Sequence, residues 1–157
     1  MLFSVSIKLY LEKTMRRIGE YAVVYIIGGV GYTIVEILWR GYSHWTMALT
    51  GGMCFMFIYM NEAFHNRAPL WKRCLVGSLI ISLSELTVGF VVNILLGWHV
   101  WDYSNRFLNL FGQVCALYSS LWFLLCIPVA GLCTHLRKWL RGVEGKAKVQ
   151  RSPMFRS

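Results

Sequence analysis

Seven acidic side chains occur in the 157 residues, and Glu36, Glu62 and Glu85 stand inside long apolar runs. A charge in hydrocarbon costs several kcal/mol unless it is paired or wetted, so each needs a reason. Ser78, Ser82, Glu85, Gly89 and Asn93 recur at steps of three or four and therefore share one helix face. A carboxyl there can carry a proton, pair with Arg40 or Arg106, or hold a cationic ligand. Glu36 precedes Arg40 by four residues, the favourable order for an ion pair. Asp102 can cap the segment that follows it, a role for which Ser104 and Asn105 also qualify. His44, Asp102 and Glu36 together could supply acid–base chemistry. Glu36, Arg40, His44, Trp45, Glu85, Asn93, Asp102, Tyr103, Asn109 and Gln113 are expected to line a polar intramembrane cavity open to the outer face and to bind substrate, with Glu85 at its floor. None is assigned as catalytic.

No metal or cofactor is expected. The four histidines are scattered, the five cysteines contain no Cys-x-x-Cys pair, and no Walker lysine loop or dinucleotide fingerprint occurs. The cysteines read as free thiols that pack as small apolar groups.

The elements that must position these groups follow from composition. The chain is 57% hydrophobic and 15% charged, with a mean hydropathy of +0.52. Soluble domains carry about a quarter charged residues. A water-soluble enzyme and a disordered chain are both excluded, and an integral membrane protein remains. A bilayer core about 30 Å thick takes about 20 apolar residues as helix. Four blocks meet that need: 21–39, 45–64, 75–96 and 108–133. Pro128 lies inside the fourth. The expected fold is all-α: four transmembrane helices in a bundle, after an N-terminal amphipathic interfacial segment (1–20) and before a basic, partly disordered tail (134–157).

Of the 16 Lys and Arg, only Arg40 and Arg106 fall in the loops after the first and third blocks. The positive-inside rule then puts both termini in the cytoplasm. The net charge of +9 fits contact with anionic membrane lipids and gives no reason to expect nucleic acid. Trp39, Trp45, Trp98 and Trp101 fall where interfacial aromatic belts lie. Each block carries one polar or small stripe: Tyr25, Gly29, Tyr32, Glu36 and Arg40 on the first; Thr46, Thr50, Cys54, Phe57 and Asn61 on the second; Asn109, Gln113, Ala116 and Ser120 on the fourth. Four such stripes turn toward one another rather than toward lipid. Glu62, near the inner end of its block, can reach Arg67 or water. The segments 31–38 and 89–95 echo each other weakly, which fits two parallel helical hairpins.

Glu36 to Arg40, the run Gly41-Tyr42-Ser43-His44-Trp45-Thr46, Gly51-Gly52, Trp101-Asp102-Tyr103-Ser104, Asn109, Gly112-Gln113 and Leu121-Trp122 together resemble the putative ABC-transporter type IV (CmpB-like) family of small bacterial membrane proteins. The resemblance covers about 21–133. The family pattern has a proline between the Trp-Asp-Tyr-Ser string and the Asn, where Arg106-Phe107-Leu108 stands here. The resemblance implies a permease-like component of the cell inner membrane. Any ATPase it serves is a separate polypeptide. Four spans are few for a complete pathway, so a homodimer or a partner membrane subunit is expected. Two alternatives stay open: a membrane enzyme acting on a lipid or polyprenyl head group, and a binding or regulatory subunit of a larger complex.

Overall fold

The computed structural model describes residues 2–150. Four long helices dominate: α1 (Leu2–Arg40), α2 (Trp45–Phe64), α3 (Leu70–Gly89) and α4 (Ala116–Gln150). α3 continues through a π-helical segment, Phe90–Leu95. Two short strands, β1 (Asn109–Leu110) and β2 (Val114–Cys115), pair antiparallel just before α4. α2 keeps the bounds expected of it, because His44 is extended and its ring nitrogen accepts from Thr46 N–H at the first turn. Gly41, at φ +80°, makes the turn that precedes it.

Three expectations are corrected. The first twenty residues do not form a separate interfacial helix, because α1 runs unbroken for 39 residues. That is about 58 Å at 1.5 Å per residue, far more than the hydrocarbon core needs. No proline interrupts it, and Gly19 is accommodated within the helix. At the other end the backbone of α4 continues to Gln150 through a stretch in which Leu, Arg and Lys, all good helix formers, outnumber Gly142 and Gly145. The rest of the expected disordered tail, 151–157, lies outside the described residues.

The third correction concerns the fourth block, whose helix begins at Ala116 rather than Leu108. Leu108, Phe111 and Gly112 all have positive φ (49°, 53° and 69°). The Asn109 amide donates to the carbonyls of Ser104 and Arg106, each at 2.9 Å, and its oxygen accepts from Gly112 N–H. Turn chemistry at Asn109 and Gly112 thus overrides the apolar character of Leu108, Leu110 and Phe111. The stripe read as Asn109, Gln113, Ala116 and Ser120 does not exist as a helix face. Ser119 faces α3, whereas the Ser120 hydroxyl is exposed and bonds its own helix at Ala116 O. On α2, Phe57 is exposed and Ile58 takes the inward position.

Three helices are long and apolar enough to cross a membrane: Tyr10–Arg40, Leu70–Leu95 and Ala116–Gly142. α2 has the length, but it carries Thr46, Thr50, Gly51, Gly52, Asn61 and Glu62, all of them buried. The burial pattern is inverted relative to a water-soluble protein. Glu36, Ser78, Glu85, Asn93 and Gln113 lie inside, while Ile26, Val30, Ile34, Leu79 and Leu83 lie outside. An apolar exterior around polar contacts is what hydrocarbon selects.

The helices form two hairpins, α1–α2 and α3–α4, joined mainly where α2 meets α3. Glycine lets the first hairpin close. A Cβ on Gly29 would stand 2.8 Å from Ala48 O, and one on Gly52 would stand 2.7 Å from Tyr25 O. α1 and α4 have no extended contact with each other. Each of Gly29→Val and Gly52→Val should destabilise the protein by about 1–3 kcal/mol through forced separation of α1 and α2. Gly31, whose Cβ would meet nothing within 4 Å, should accept Ala with a gain of up to about 1 kcal/mol. Thermal unfolding in detergent, followed by circular dichroism, checks the contrast.

Candidate functional site

The gap between α1 and α4 holds two adjacent cavities. At the end that carries residues 41–44 and 96–115, here the loop end, a cleft of about 700 Å³ lies between Glu36, Trp39 and Arg40 of α1, residues 99–103 and Arg106 of the loop, and Tyr118 and Leu121 of α4. Deeper lies a chamber of about 250 Å³, walled by apolar residues together with Glu85, Thr50 and Cys54. Tyr32, Val35, Trp122 and Leu125 belong to both walls. The single polar cavity expected from the sequence is therefore divided in two, and Glu85 lines the inner part.

The cleft has fixed charges. Arg40 donates to Glu36 Oε1 at 2.8 Å, to the Tyr42 hydroxyl at 2.8 Å and to Val100 O at 2.7 Å. The second Glu36 oxygen accepts from Ser43 Oγ at 2.5 Å. The spacing-based ion pair is thus real, and it ties the end of α1 to the loop. Asp102 faces the cleft and accepts from both the Ser104 hydroxyl and the Ser104 amide. These bonds, the hydroxyl's first, hold its carboxyl below the usual aspartate range. Burial pushes the Tyr103 phenol upward, so it stays a neutral donor. Tyr103 stacks on Tyr118 at 4.6 Å between ring centroids, and Tyr118, Trp122 and Tyr32 follow at 6.3 and 6.4 Å. This aromatic ladder leads from the loop to the partition between the cavities.

In the chamber wall, Trp122 Nε1 donates to Glu85 Oε2 at 2.9 Å. Glu85 is 3% exposed, and its Oε1 has no hydrogen-bond partner. Ion pairs among the described residues are Glu36–Arg40 and Glu62–Arg73, so Glu85 has no countercharge in them. Ser82 and Ser78, one and two turns below on α3, bond Ser119 of α4.

Other predicted residues have structural employment. Asn93 donates to Trp101 O and to Gln113 Oε1, and accepts from Val100 N–H. Gln113 also donates to Phe111 O, and Trp101 donates to Gln113 O. With Asn109, this knot shapes the loop: Asn93, Asn109 and Gln113 line neither cavity, whereas the Val100 and Trp101 that they hold line the cleft. His44 and Trp45 sit elsewhere, in a shallow surface groove with Gly41 and Ser43, and they cluster with Trp98. His44 and Asp102 therefore do not share a site. The structure brings together Glu36, Arg40, Asp102 and Tyr103 in the cleft, with Glu85 beyond the partition.

Sequence reasoning named Trp122 only within the family resemblance, with no site role, and passed over Tyr118 and Ser119. The available signal was a tryptophan in mid-block, away from the interfacial belt, whose N–H needs an acceptor. At the opposite end polar contacts tie the helices together. Glu62 pairs with Arg73 rather than Arg67, Tyr59 donates to Glu20, and Arg137 donates to the carbonyls of Tyr59 and Glu62.

Residues 18–148 match the family model described as putative ABC-transporter type IV. No curated protein and no solved structure matches the chain.

The Asp102 carboxyl is depressed, so its contribution to the folded loop is full above the unfolded-state value and is lost as pH falls through the folded one. In Ser104→Ala, the largest cause of the depression is gone. Carbon-13 NMR of the Asp102 carboxyl should then show its titration midpoint moving up toward the ordinary aspartate range. An unchanged midpoint would remove Ser104 as the cause.

Proposed function

The chain belongs to the putative ABC-transporter type IV family, and we propose that it is a transport component of the cytoplasmic membrane, a permease-type subunit. In this reading all four helices span the bilayer, α2 included, because its polar residues are turned into the protein. Basic residues cluster at the end that carries both termini and residues 65–73. The positive-inside rule therefore favours cytoplasmic termini and an outward-facing loop end.

The observation that carries the reading is the cleft of about 700 Å³ at the loop end. Its Glu36, Arg40, Asp102, Tyr103 and Arg106 give a substrate polar partners of both signs. The aromatic ladder then leads inward to Glu85. The knot of Glu20, Tyr59, Glu62, Arg73 and Arg137 closes the opposite end, as an outward-open state requires. A homodimer or a partner membrane subunit completes the pathway across the open α1–α4 side. Since the chain has no nucleotide-binding loop, energy from ATP would come from a separate ATPase. The head-group enzyme is favoured less, because His44 and Asp102 line different cavities.

Two measurements check this. Ser43→Cys should react with a membrane-impermeant maleimide added outside intact cells, whereas a cysteine at His135 should react only after permeabilisation. Metabolite profiles of cells and medium should change when the gene is deleted. Wild type should restore them and Arg40→Ala should not. Identical profiles in all strains would contradict a transport role.

A further inference from the structure

We infer that the inner chamber binds a small organic cation, an ammonium centre on an apolar or aromatic body, with Glu85 as its countercharge. The inference names a ligand class for the transport reading and rests on that reading for passage, though not for binding. Glu85 is buried in a wall that is otherwise almost wholly apolar. A carboxylate there needs a compensating positive charge or a proton. Trp122 satisfies one oxygen and leaves the other free.

The chamber's form decides which cation fits. A proton needs no cavity of about 250 Å³. A bare or hydrated metal ion takes several oxygen ligands, and the wall offers little beyond Glu85. Thr50, also in the wall, already donates to Thr46 O. What the wall does offer is aromatic: Tyr32, Phe55 and Trp122. Ring faces attract ammonium groups, and a surrounding apolar lining receives the rest of the molecule.

Access follows from the sparse contact between α1 and α4. Gly31, Val35 and Leu132 line the chamber and are exposed, so its mouth lies between these two helices. An amphiphilic cation can enter sideways from the hydrocarbon layer or along the aromatic ladder from the cleft. The Tyr32–Trp122 pair stands in the partition between the two cavities.

The test is equilibrium dialysis of radiolabelled benzyltrimethylammonium against the purified full chain in detergent, with phenylacetate as the anionic control. Wild type should bind the cation saturably and the anion not at all. Glu85→Gln should weaken binding by about tenfold or more, and Trp122→Phe by about threefold to tenfold. Gly31→Leu should block the mouth without touching Glu85, since a Cβ at Gly31 meets open space. This variant keeps the test decisive if Glu85→Gln fails to fold. Binding that is unaltered by both Glu85→Gln and Gly31→Leu, or equal for phenylacetate, overturns the inference. Absent binding in wild type overturns it too. Proteoliposome uptake of the same probe separates the two claims. Binding without uptake supports the site and contradicts its use as a passage for this ligand class, whereas uptake lost in Gly31→Leu supports both.

Discussion

Polar side chains inside an apolar exterior must satisfy one another, and the rest of this structure follows from that constraint. Water cannot rescue an unpaired group at membrane depth, so each buried donor or acceptor has to find a partner on a neighbouring element. On α3 this is visible turn by turn. Ser78 and Ser82 bond Ser119, Glu85 accepts from Trp122, and Asn93 ties Gln113, Trp101 and Val100 together. One face of one helix thereby orients α4 and the loop before it. Among the described residues Arg73 Nε and Glu85 Oε1 are left without a partner, and of the two only Glu85 lines a cavity.

The second determinant is the unequal closure of the two hairpins. Gly29 and Gly52 let α1 and α2 approach at backbone distance, Gly28 and Gly51 make room for Phe55 and Tyr32, and Gly77 of α3 makes room for the Cys126 side chain of α4. Nothing comparable joins α1 to α4. The space left there becomes the cleft and the chamber, and the ladder Tyr103–Tyr118–Trp122–Tyr32 lines the route between them. Ion pairs gather at the two ends of the assembly: Glu36–Arg40 at the loop end, Glu62–Arg73 at the other. The middle is left apolar apart from Glu85 and a few hydroxyl and thiol groups.

Much of this was legible from residue order. Apolar blocks of the right length located the helices, and the step of three to four residues placed Ser78, Ser82, Glu85, Gly89 and Asn93 on a common inward face. The Glu36–Arg40 pair followed from their spacing. What failed did so for identifiable physical reasons. Leu108, Leu110 and Phe111 look like membrane residues, but Asn109 and Gly112 impose turn geometry that hydropathy does not register. Asn93, Asn109 and Gln113 look like ligand groups, yet a loop at a helix mouth needs amides to satisfy its own backbone. Trp122 was given no site role because an aromatic in an apolar block looks like packing until its N–H is traced to an acceptor. His44 and Asp102 were separated by tertiary placement, to which spacing is blind.

The central claim is that Glu85 lies inside the protein, held by Trp122 and facing a space between α1 and α4 that is not filled by protein. Cryo-electron microscopy of the chain in lipid nanodiscs tests it most directly. The account predicts Glu85 within hydrogen-bond distance of the Trp122 indole, beside a chamber bounded by Tyr32 and Phe55. A map in which Glu85 projects into the acyl chains, or in which α1 and α4 pack tightly over that space, would contradict it.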